Sequence, residues 1–347
     1  MRILYVINTG IVGGLQRHVL SLMKALRGVV ETAVVINVEI DSKCVDMFVD
    51  GGVKLYRLHG KSGHDPRILS RFKSVLADYN PDIIHAHGLP FVCELWLLLF
   101  KRVPVVQSLH TPVDPPSLLR GLLSFYITRK VVDYWLPVSG PTWDRFKTAY
   151  PWAKGCGEVF FNPLYLPDVK NKNLVAGQSN DPTIRLSNNY TVGMVGRAAE
   201  VKDWPSFHRV EELVKAKMAN VRFLNAGEMV VCDGHEAISQ MDLFVMTSKS
   251  EQLPTTILEC FAIGTPVCGF LPEGGTVDIL AFSNGSVDRA FIRERSCENL
   301  ADLVLDLLTS PEQRKALVED GQQILENHFD AEKNCKGQLM DIYRRFT

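Results

Sequence analysis

With 347 residues and 46% hydrophobic side chains, the chain is long enough for two domains with full-sized cores. A formal charge of −1 gives no reason to expect a nucleic-acid partner. Residues 1–150 carry 18 Lys and Arg against 12 Asp and Glu, or +6, and the remainder carries 20 against 27, or −7. That split is either ordinary surface variation or a first half that meets something anionic, such as a lipid phosphate or a membrane surface.

Eight cysteines are scattered without a CxxC pair, so neither a zinc site nor a redox motif is visible. Several lie in apolar runs, as reduced core thiols do, which favours a cytosolic protein. The opening run Arg2–Ile7 is too short for a signal segment. The longest apolar run, Phe91–Phe100, contains Glu94 and is too short to span a bilayer. The expectation is a cytoplasmic protein, at most peripheral to the inner face of the membrane.

Short apolar strands are predicted at 3–7, 33–38, 54–58, 83–86, 103–108, 134–138 and 158–161, with helical patterns between most of them. This alternation predicts a parallel sheet covered on both faces. Residues 166–189 have linker composition. A second series follows at 190–195, 221–225, 229–231, 243–246 and 267–270, and helices then dominate. The predicted organisation is two α/β, Rossmann-like doubly wound domains facing a cleft, 1–165 and 166–330, with ligands at the carboxyl ends of strands. A final helix covers 331–347, with Leu339, Ile342 and Tyr343 on one side.

The most informative stretch follows the strand 243–246. Pro254 suits a first helical position, and Gly264 with Pro266 suits a stop. Between them the helix is apolar nearly all round, and Glu259 is its single charge. A buried carboxylate is costly unless hydrogen-bonded. The amides at the helix start, around Leu253, Pro254 and Thr255, suit an anion. Upstream, Gly196-Arg197 ends the strand 190–195 and Lys202 follows five residues later. Two fixed cations can stabilise the charge that develops on a departing diphosphate, Arg bidentately and Lys as a point charge. The alternative is two solvated surface cations.

Glu251 and Glu259, separated by seven residues and followed by Gly264-Thr265-Pro266-Val267, resemble the Glu-x7-Glu signature of retaining glycosyltransferases of the GT-B fold, family 4. Gly196-Arg197 with Lys202 resembles the family's G-R-x4-K motif. The resemblance implies that Glu259 binds the ribose diol of a nucleotide sugar and that Glu251 lies against the transferred sugar. It also implies that Arg197 and Lys202 hold the diphosphate without a metal or other cofactor. Gly13-Gly14, in the turn after the first strand, resembles the family's GG-x-E-x-H-V loop over the donor phosphates; the bland reading is a tight turn. Gln16 stands where Glu is common in the family. His18 is expected to be structural.

His110 follows a strand at 105–109, where family members often carry a His near the transferred sugar. A structural role is the alternative. His85 and His87 share one face of a strand. With His110 they do not make an expected metal site, because no carboxylate or Cys lies at ligand spacing. The resemblance implies a final helix that returns to the first domain, a UDP- or GDP-sugar donor, and a glycan or lipid-linked glycan acceptor. Residues 115–130 read either as an interfacial amphipathic helix, giving peripheral membrane contact through the first domain, or as a core helix. One departure from the family pattern is that 221–227 runs almost directly into 229–234, so a helix that lies near the base pocket in family members is missing or abbreviated. Alternatives to transfer are a GT-B sugar-nucleotide epimerase or a non-catalytic GT-B subunit.

Overall fold

The computed structural model describes residues 1–10, 13–39, 42–111, 126–153, 155–170, 190–227 and 234–347. The chain divides into two compact units, Met1–Tyr165 with Ala331–Thr347, and Leu166–Asp330. The interfacial-helix expectation falls largely on residues 112–125, which lie outside the described residues.

The first unit is built on six parallel strands, β1 (Arg2–Gly10), β2 (Glu31–Glu39), β3 (Lys54–Arg57), β4 (Ile83–His87), β5 (Val105–Leu109) and β6 (Tyr134–Pro137). Their order is β3-β2-β1-β4-β5-β6, which reverses between β1 and β4, the doubly wound switch point. The apolar runs form central strands because both faces of the sheet are covered. Alternate residues go to opposite cores: Leu4, Val6, Ala33 and Val35 to one, Ile3, Tyr5, Ile7, Val34 and Ile36 to the other. The second of these cores also holds Leu339, Met340, Ile342 and Tyr343 from the helix Lys336–Arg344. The spacing of those apolar residues matches one face of a helix.

The predicted strand at 158–161 does not form. Gly157 makes a single parallel bridge with Trp135. Phe160 N donates to Pro137 O at 2.9 Å, but the return bond needs an N–H that Pro137 lacks, so the ladder stops after one rung.

The second unit carries β7 (Tyr190–Val195), β8 (Val221–Ala226), β9 (Leu243–Met246), β10 (Ser250–Glu251), β11 (Val267–Phe270), β12 (Glu273–Gly274) and β13 (Phe291–Ile292). Five form a parallel sheet in the order β13-β11-β9-β7-β8, and β10 pairs with β12 beside it. Within the stretch predicted as linker, Leu166–Lys170 is helical and 171–189 lie outside the described residues. So does the predicted strand at 229–231; a helix of only six residues, Gly234–Ser239, leads into β9. No described helix is long and apolar enough to cross a membrane.

Candidate functional site

The carboxyl ends of β7 and β9 bring two of the second unit's candidate residues, Lys202 and Glu251, together; no hydrogen bond or ion pair joins the Arg197 side chain or Glu259 to them among the described residues. Gly196 follows β7, and its N–H donates to Ala226 O at 2.9 Å. Gly227, with φ of +103°, leaves no room for a side chain, since a Cβ there would lie 2.3 Å from Gly196 O. The two strand ends are therefore bare backbone, and the Lys202 methylenes pack over Gly196, 3.1 Å from where a Cβ would stand. Lys202 closes a short 3-10 turn, Glu200–Lys202. That turn is tied to the signature loop: Thr247 Oγ1 donates to Lys202 O at 3.0 Å and Lys249 N donates to Val201 O at 2.7 Å.

From this anchored backbone the Lys202 ammonium reaches Glu251 Oε1 at 2.5 Å, with the two side chains 17% and 16% exposed. The predicted G-R-x4-K lysine and the first signature Glu thus form one ion pair. Arg197 is exposed, and its carbonyl accepts from Trp204 Nε1 at 3.0 Å. Glu251 sits in β10 against Gly274, whose φ of +110° lets its backbone lie so close that a Cβ would be 2.2 Å from Glu251 O. The Glu273 and Gly275 amides donate to Lys249 O and Glu251 O, so they hold this strand pair together.

The signature helix runs Thr255–Ile263, with Pro254 at the cap position, one residue before the first helical turn. Gly264 ends it with φ of +86°, a left-handed conformation that glycine adopts without strain. Leu253 is buried and Thr255 opens the helix. Glu259 is buried, and His235 Nε2 lies 3.6 Å from Glu259 Oε1.

Two residues that hold this region were not singled out from the sequence. Arg295 donates to Asp203 Oδ2 at 2.6 Å, Thr247 O at 2.7 Å and Ser248 O at 3.1 Å, and its guanidinium stacks on Phe270 at 4.5 Å. It joins the loops that follow β7 and β9 to the end of β11. His235 opens the short helix beside Glu259. Neither stands in a local pattern; both act through contacts distant in sequence.

In the first unit, Gly13 caps the helix Gly14–Ala25 in an extended conformation, and Gln16 Nε2 donates to Thr9 O at 2.8 Å. His18 projects from that helix into a histidine cluster with His85, His87 and His110. Tyr343 OH lies 3.0 Å from Tyr5 OH and 2.6 Å from His85 Nδ1, and His85 Nε2 lies 2.9 Å from Ser108 Oγ. His87 Nδ1 and His110 Nε2 are 2.7 Å apart. Burial pushes His85 down to about 3 and His110 to about 4. Burial also holds His18 and His87 well below the ordinary histidine value. All four rings are neutral at neutral pH, and a neutral imidazole both donates and accepts.

The chain matches two family models, Glycosyltransferase Family 4 over residues 12–156 and Glycosyl transferases group 1 over residues 172–324. It is 26% identical over 252 residues to a sulfoquinovosyl transferase of Arabidopsis thaliana, covering 62% of this chain and 46% of that protein. The chain thus spans about half the length of that curated relative. Among solved structures, HepE of Anabaena in complex with UDP and glucose superposes with a TM-score of 0.76 at 16% identity, over 99% of this chain and 100% of that one. A glycosyltransferase from Rickettsia africae gives 0.73 at 14% identity, over 99% and 98%. Those two likenesses speak to the fold. With a glycosyltransferase model matched to each half and the two-domain α/β architecture described above, the chain belongs to the family 4 glycosyltransferases of the GT-B fold.

Proposed function

We propose that the protein transfers a sugar, with retention of anomeric configuration and without a metal, from a UDP- or GDP-sugar to a hydroxyl of a glycan or lipid-linked glycan. The observation that carries this reading is the Lys202–Glu251 pair at 2.5 Å over bare glycine backbone. A lysine held there, with Arg197 exposed at the end of β7, offers positive charge where a diphosphate leaves. In that reading Glu251 keeps the ammonium placed until the donor arrives and then orients the sugar. Glu259 holds the ribose, the start of the helix at Thr255 faces phosphate, and Gly13-Gly14 admits the donor closely. His110 hydrogen-bonds the sugar. The leaving phosphate oxygen takes the acceptor's proton as attack occurs on the face of departure, so no covalent enzyme intermediate forms.

A lipid-linked acceptor would bring the protein to the cytoplasmic face of a membrane. Supporting this, the helix Phe91–Phe100 leaves Leu99 74% and Phe100 57% exposed, next to Lys101 and Arg102. An apolar edge with adjacent cations suits an anionic lipid surface.

The test has two steps. A thermal-shift screen against UDP, GDP, ADP and their sugars identifies the donor, since a ligand that binds only the folded state raises the melting temperature. Proton NMR of the product then reads the new anomeric centre. Retention is expected. Inversion would overturn the mechanism, and a new nucleotide sugar formed without acceptor would make the protein an epimerase.

A further inference from the structure

The histidine cluster of the first unit holds more unsatisfied nitrogen than sugar binding needs. We propose that His18, His87 and His110 form a three-nitrogen site for a borderline divalent transition-metal ion such as Zn2+. The helix Gly14–Ala25, the end of β4 and the residue after β5 each supply one ligand. One ring nitrogen from each histidine lies within 4.8 Å of those of the other two.

Geometry decides whether such a group can grip an ion. The ring centres of His18 and His87, His18 and His110, and His87 and His110 are 5.4, 5.2 and 5.0 Å apart. A zinc–nitrogen bond is about 2.05 Å, and the ring centre lies about 1.15 Å further on; three imidazoles at tetrahedral angles therefore have centres about 5.2 Å apart. The near-equilateral cluster already has that spacing without backbone movement. The 2.7 Å contact between His87 Nδ1 and His110 Nε2 is shorter than the roughly 3.3 Å between two nitrogens on one tetrahedral ion. Loading the ion replaces the proton they share and opens the pair by a side-chain rotation.

The second observation is independent of spacing. His18 and His87 are 2% and 6% exposed. Neither ring nitrogen of His18, nor His87 Nε2, has a hydrogen-bond partner among the described residues. An unsatisfied buried polar group costs about 1–3 kcal/mol, so His18, whose ring faces His87 and His110 with neither nitrogen engaged, calls for a ligand. His85 is excluded from the set because Tyr343 and Ser108 engage both its nitrogens. Three imidazoles select Zn2+, Ni2+ or Cu2+ over Mg2+ or Ca2+, which prefer oxygen. They leave a fourth position for water.

The proposal does not rest on the donor reading: His110 is common to both, but the test reads metal binding and not transfer. The test uses the full chain, stripped with chelator and titrated with Co2+, whose visible absorption is intense only in tetrahedral sites. We expect one Co2+ per chain, displaced by Zn2+, with affinity at least tenfold weaker in His18→Asn and unchanged in His208→Asn. Circular dichroism checks folding; if His18→Asn fails to fold, His110→Asn, with the more exposed ring, provides the same readout. Absence of tetrahedral absorption in the wild type overturns the site. So does Co2+ binding that is undiminished in a folded His18 or His110 variant.

Discussion

Lys202→Met separates chemistry from folding at the proposed donor site. Methionine keeps an unbranched stem to lie over Gly196, where the lysine methylenes now pack, and removes only the ammonium. If that ammonium faces charge developing on the leaving diphosphate, its loss should lower turnover about 10²–10³-fold, equivalent to about 2.7–4 kcal/mol. The stability effect should be smaller. Each partner of the Lys202–Glu251 pair is about one-sixth exposed, and Lys202→Met leaves the Glu251 carboxylate without its partner, a cost of about 1–3 kcal/mol. For a unit the size of Leu166–Asp330 each kcal/mol shifts the melting temperature by roughly 2–4 °C. Steady-state kinetics with the identified donor, run beside thermal melts of the same preparations, give both numbers. Turnover within threefold of wild type in a folded variant would refute the phosphate role. A loss of activity matched by a comparable loss of stability would show that the pair only holds the loops together.

Other consequences follow from buried polar groups and close backbone. Tyr343→Phe removes the hydroxyl between Tyr5 and His85 and should destabilise the first unit by about 2–4 kcal/mol in urea unfolding; in a Tyr5→Phe background the cost should shrink, as it does for groups that share partners. Burial raises the Glu94 carboxyl to about 7, although Thr128 donates to it at 2.9 Å. Its folded value lies above the unfolded 4.5, so the folded state binds the extra proton between these pH values, and stability falls as pH rises from about 4.5 to 7. Glu94→Gln should therefore raise stability at pH 8 by up to about 3 kcal/mol and leave it unchanged at pH 4, as read from denaturant midpoints. Gly227→Ala places a methyl carbon 2.3 Å from Gly196 O at a left-handed φ; it should lower the melting temperature and weaken donor binding together, whereas an unaltered melt would mean that β8 can shift freely.

Much of the fold was legible because both parallel sheets are covered on two faces. Residues 190–195, 243–246 and 267–270 coincide with β7, β9 and β11, since continuous apolar runs bounded by glycine or polar residues have few other places to go. The failure at 158–161 came from the neighbour, since Pro137 on β6 withholds a hydrogen bond that no local pattern at 158–161 reports. β13 was missed because two residues carry no period. At the candidate site, the types and spacing of Arg197, Lys202, Glu251 and Glu259 were readable. What was not readable was that Lys202 and Glu251 neutralise each other, or that Arg295 fastens two loops to the end of β11, because these depend on which strand ends the sheet order brings together. The histidines show the same limit. Spacing along β4 pointed to His85 with His87, whereas folding turns His85 to Tyr343 and brings in His18 from a helix.

The central claim is that Arg197, Lys202 and Glu259 hold one nucleoside diphosphate at the carboxyl edge of the second sheet. Calorimetric titration of UDP and of GDP into the wild type and into Arg197→Ala, Lys202→Met and Glu259→Gln tests it directly. One site per chain for one of the two nucleotides, weakened at least tenfold in each folded variant, is the predicted result. Wild-type protein that binds neither, or variants that bind as the wild type does, would contradict it.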